Sequence, residues 1–142
     1  MKLMSITPVS VDSVPEQLEP GILYISEEND VVMHLCCCGC GLEVVTPLSP
    51  AEWSIRRSGN TVSLRPSIGN WDYPCRSHYW ITNNRVEWAG PMSKKRIAIV
   101  KERDRVDKRR YIDHVNAEKL KNVDSDLWSV IRNLFNKLKS WF

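Results

Sequence analysis

Long apolar runs are missing: nothing in the chain approaches the roughly 18 to 20 residues that a membrane-spanning helix requires. The start, Met1-Lys2-Leu3-Met4, lacks the apolar stretch and small-residue cleavage site of a secretory signal. Together these absences predict a cytoplasmic protein without a transmembrane segment. Neither H-E-x-x-H nor H-x-E occurs, so the usual helpers of a catalytic zinc are lacking. A composition of 42% hydrophobic and 26% charged residues in 142 excludes a disordered, collagenous or coiled-coil chain and predicts a globular protein.

Cysteine is scarce except in one place. Four of the five cysteines fall in Cys36-Cys37-Cys38-Gly39-Cys40, too close together for ordinary disulfides, and in a reducing compartment such clusters serve as metal ligands. Charge is also uneven. Up to Gly90 there are 6 Lys+Arg against 10 Asp+Glu, whereas from Pro91 onward there are 14 against 7. The composition shift and the Gly-Pro turn signal divide the chain into an extended lead-in over 1–20, a zinc-binding β domain over 21–90 and a basic extension over 91–142.

The periodicity predicts a mainly β fold, a small antiparallel sheet stabilised by zinc, with a C-terminal α-helical extension. Ile22-Leu23-Tyr24-Ile25 and Val31-Val32-Met33-His34-Leu35 flank a polar link of hairpin size, and Leu42-Glu43-Val44-Val45 returns after the cysteines. Two further hairpins follow, one turning at Ser58-Gly59-Asn60 and one at Asn83-Asn84. The alternation at Val9 to Val14 suggests an edge strand. A helical stretch over Arg110 to Lys121 precedes a terminal amphipathic helix carrying Leu127, Ile131, Leu134, Leu138 and Trp141, capped by Asp124 or Ser125.

Zinc takes four tetrahedral thiolate or imidazole ligands, usually from two knuckles joined by the fold. Neighbouring residues of a strand face opposite ways, so Cys36, Cys38 and Cys40 can share a side while Cys37 points away. Cys75 and His78, at C-x-x-H spacing after Pro74, supply the second half. Cys38 and Cys40 with Cys75 and His78 would make a Cys3His site, with Cys36 the first substitute and His34 on the same strand face. One structural Zn2+ is the prediction. An open metal position, or Cys37 as a reactive thiol, would instead give a zinc-dependent hydrolase or a transthiolating enzyme.

Between the knuckles, Ser67 and Asn70 read as turn residues bonding to backbone, and Trp71 as a cover for the metal. Trp71 and Tyr73 beside the metal, with Trp128, Phe135 and Trp141 on the terminal helix, are candidate protein contacts; the helix could also join two copies. The basic runs Lys94-Lys95-Arg96 and Lys108-Arg109-Arg110 leave nucleic acid as a further reading.

The segments Pro20 to Ser26, His34 to Gly41, Thr46 to Pro50, Ser63 to Trp71 and Pro74 to Ile81 carry a resemblance. The chain resembles a family of short bacterial metal-binding proteins, some encoded beside genes for bacterial ubiquitin-like conjugation, over about residues 20 to 90. By position the resemblance covers His34, Cys36, Cys38, Cys40, Cys75 and His78, and it implies an accessory or ligase-like adaptor that recognises a conjugating enzyme or a ubiquitin-like modifier. Recognition rather than independent catalysis is the resulting expectation.

Overall fold

A computed structural model describes residues 1–139. It contains two compact units, divided after Asp104. The first holds two four-stranded sheets. In one, β1 (Thr7–Ser10) runs parallel to β2 (Ile22–Ser26), followed antiparallel by β3 (Val31–Leu35) and β4 (Glu43–Pro47). The other is an antiparallel meander of β5 (Ser54–Ser58), β6 (Thr61–Gly69), β7 (His78–Thr82) and β8 (Arg85–Trp88).

The mainly β reading with a helical extension therefore matches the fold, and the hairpins lie where the turn chemistry put them. Asn83 and Asn84 adopt φ of 47° and 64°, the left-handed pair that a type I′ turn demands and asparagine tolerates. The edge strand expected over 9 to 14 is shifted toward the N-terminus and pairs parallel to β2 at Thr7 to Ser10. Just before it, Met4 and Ile6 exchange backbone hydrogen bonds with Val86 and Asn84, so the lead-in ties one sheet to the other.

The two sheets share one core, because alternate residues of their strands turn inward. Leu23, Ile25, Val32 and Val44 from the first meet Val62, Leu64, Ile68, Tyr79, Ile81 and Val86 from the second. In β7 this alternation buries Tyr79 and Ile81 and leaves His78 and Trp80 half-buried on the other face. β6 follows the same rule except for a register irregularity between Leu64 and Ile68, where the Arg65–Pro66 peptide is cis. Ser67 lies in that irregular segment, a setting that redirects side chains.

After Pro91 the chain contains neither glycine nor proline. Nothing interrupts the backbone, and α1 runs unbroken over Lys94–Lys139. Ser93 caps it, its hydroxyl accepting from the Arg96 amide at 3.3 Å. The expected cap at Asp124 or Ser125 is thus interior to one helix, where the Ser125 hydroxyl bonds back to the Asn122 carbonyl. No described residue of α1 is buried. Trp128 and Phe135 are exposed, while Trp141 lies outside the described residues.

Candidate functional site

The cysteines occupy the tight link from β3 to β4, which needs left-handed backbone at Gly39 and Gly41. At Gly39 a side chain would be strained by the φ of 88° and would also crowd the Met1 nitrogen, 3.0 Å from where its Cβ would lie. The Cys36 carbonyl accepts from the Gly39 amide, and this turn aims Cys36, Cys38 and Cys40 at Cys75 in the loop between β6 and β7. The four Sγ atoms all lie within 4.8 Å of one another; Cys36 is 3.4 Å from Cys38, and Cys75 is 3.9 Å from both Cys36 and Cys40. Four sulfurs on a tetrahedral metal at about 2.3 Å would be separated by roughly 3.8 Å, so this cluster can hold a metal ion.

The surroundings suit that role. Cys36 Sγ is 3.0 Å from the Ser77 hydroxyl, which accepts from the Asn70 amide nitrogen at 2.8 Å. Burial acts to raise the Cys75 thiol, yet hydrogen bonds from Ser77 and from Cys38 and Cys40 outweigh it and bring the thiol down to about 7. Burial, then contacts with the other thiols, pushes Cys38 up to about 12.

Cys37 and His34 stand outside this group. Cys37 is fully buried in the core beside the Tyr79 hydroxyl, and burial pushes its thiol up to about 12, the neutral form that is a poor nucleophile. His34 is also fully buried, its Nε2 2.8 Å from the Tyr79 hydroxyl, and burial brings it down to about 4.

His78 has a different partner from the one its spacing suggested. Its Nε2 is 2.9 Å from the Ser67 hydroxyl, and it is not among the four converging thiols. The register explains the meeting: Gly69 lies directly opposite His78 across the β6–β7 ladder, and Ser67 lies two residues before Gly69. The Trp71 and Trp80 rings flank the imidazole, with centroids 4.7 and 5.3 Å away. Burial lowers His78 from its ordinary value, favouring the neutral ring that can accept a proton. Its Nδ1 is buried and has no hydrogen-bond partner among the described residues, so packing rather than a carboxylate orients the ring.

Ser67 and His78 thus place a hydroxyl and an imidazole within hydrogen-bond reach, an arrangement that serine acyl transfer can use. Trp71 packs on His78, and its indole lies so close over Gly69 that a Cβ there would meet it at 2.4 Å. Tyr73 donates its hydroxyl to the Glu43 carbonyl. A cleft of about 170 Å³ opens between Val44, Val45 and Thr46 of β4, Trp53, and the segment from Ile68 to Tyr73.

The model of a family described as bacterial ubiquitination-like system serine protease (BubE) matches residues 10–89, more than half of the chain. The chain belongs to that family. No curated protein and no solved structure matches it.

Proposed function

We propose that, as a member of the bacterial ubiquitination-like system serine protease family, this chain is a serine protease in which Ser67 is the nucleophile and His78 the general base. The observation that carries the reading is the 2.9 Å contact between Ser67 Oγ and His78 Nε2. Ser67 Oγ attacks a substrate carbonyl as its proton passes to His78 Nε2. Collapse of the tetrahedral intermediate breaks the C–N bond, and the departing amine takes that proton from His78. Water, deprotonated by the same ring, then attacks the acyl-serine ester and releases the acid while Ser67 regains its proton. The substrate class follows from the family's setting: a polypeptide of the ubiquitin-like conjugation system, with a ubiquitin-like modifier as the partner.

The metal role is structural. Cys36, Cys38, Cys40 and Cys75 would hold one zinc ion as a closed four-thiolate site, and the donor set leaves no protein ligand position for chemistry. Zinc supplies a fixed link between the turn after β3 and the loop before β7, the loop that delivers His78 to Ser67. Recognition enters through α1, whose exposed Trp128 and Phe135 suit contact with a protein of the same system.

The test is cleavage of a ubiquitin-like modifier extended beyond its C-terminus, assayed with wild type, Ser67→Ala and His78→Gln. Loss of about a hundred- to ten-thousandfold in kcat with each variant, at unchanged metal content, is the expected result. Undiminished cleavage by Ser67→Ala would refute the assignment; binding without any cleavage would return the chain to an adaptor role.

A further inference from the structure

β4 is an outer strand of its sheet. The phase of its ladder is fixed at both ends, where Cys36 N–H donates to the Leu42 carbonyl and Leu48 N–H to the Asp30 carbonyl. Hydrogen-bonded and non-bonded pairs alternate in an antiparallel ladder. The bonds to β3 therefore fall at Val44 and Thr46, while Glu43, Val45 and Pro47 turn their backbone groups outward. The fold caps both ends of this row. Glu43's carbonyl accepts from the Tyr73 hydroxyl, and Pro47's accepts from the Trp53 amide at 3.2 Å.

Between the caps, the N–H and C=O of Val45 have no partner among the described residues, and Val45 is 49% exposed. An unpaired strand edge is a template for another extended chain, which most proteins cover or blunt. Here it faces a cleft whose opposite wall, from Ile68 to Tyr73, begins at the residue after Ser67. We propose that the free edge of β4 at Val45 binds the polypeptide substrate of the Ser67–His78 site as an added strand, an inference that rests on the serine protease reading. The occupant is a short extended tail. Pairing with both groups of Val45 requires a residue whose own N–H and C=O are unpaired, which a strand inside a folded sheet does not offer, and the caps limit the pairing to a few residues.

The probe is a quenched fluorescent peptide spanning the C-terminal tail of a bacterial ubiquitin-like modifier. Val45→Pro removes the outward N–H without removing a bond to β3, and proline is tolerated on an edge strand. Expected are a rise of about tenfold in KM, little change in kcat, and reaction of Ser67 with a small fluorophosphonate at the wild-type rate. Because Val45→Pro could unfold, a parallel series uses wild-type protein with peptides N-methylated one position at a time. One methylation should raise KM by a similar factor. Normal fluorophosphonate labelling with no effect of the variant or of any methylation would overturn the docking edge alone; failure of Ser67 to label in wild type would overturn the protease reading and the docking edge with it.

Discussion

Ser67 and His78 meet because β-sheet register does what sequence distance hides. Eleven positions separate them, yet Gly69 opposite His78 brings the serine hydroxyl to Nε2. Burial lowers the His78 pKa, so its neutral ring, the form the proposed general base needs, persists to more acidic pH than that of a free histidine. The acid limb of kcat/KM should have its midpoint below pH 6.5, and a midpoint at or above that value would contradict the geometry. Gly69 is the second sensitive residue. A methyl group there would meet the Trp71 indole at 2.4 Å and displace the ring that packs on His78. Gly69→Ala should lower kcat about tenfold or more while costing about 1 to 3 kcal/mol of stability, read by kinetics beside thermal unfolding. The cysteine half of the site was legible because four thiols in five residues have few other uses. Ser67 was not: Pro66-Ser67-Ile68-Gly69 lacks the glycine pattern of a nucleophile elbow, and the C-x-x-H spacing of Cys75 and His78 drew the histidine toward the metal.

Among the elements, the hairpins were readable because their turns carry their own chemistry, as at Asn83-Asn84, and because inward and outward residues alternate in β3, β4 and β7. The helix was only half readable. Apolar spacing located its C-terminal stretch, but a polar Asp124-Ser125 pair resembled a cap, and only the absence of glycine and proline across the whole segment points to one continuous element. Since α1 buries no described residue, its removal should leave the sheets intact. A chain ending at Asp104 should bind as much zinc as the full chain and unfold within a few degrees of it, measured by metal analysis and circular dichroism. Loss of cooperative unfolding would mean that the helix supports the sheets after all.

At the scale of the whole molecule, the thiol cluster joins the turn that ends β3 in one sheet to the loop that precedes β7 in the other. A small two-sheet core gains most from such a cross-link, and metal binding to four thiolates is coupled to folding. Chelation, or Cys75→Ser, should therefore lower the unfolding temperature and abolish proteolysis together, whereas Cys37→Ser should leave the metal content at one ion per chain. Retained activity in metal-free protein would separate the cluster from the dyad. The central claim is that Ser67 is an activated nucleophile. Its most direct test is to treat metal-loaded protein with a fluorophosphonate and locate the adduct by peptide mass spectrometry. A single adduct on Ser67, formed at least a hundredfold more slowly in His78→Gln, is the predicted result; no adduct, or one on another residue, would contradict it.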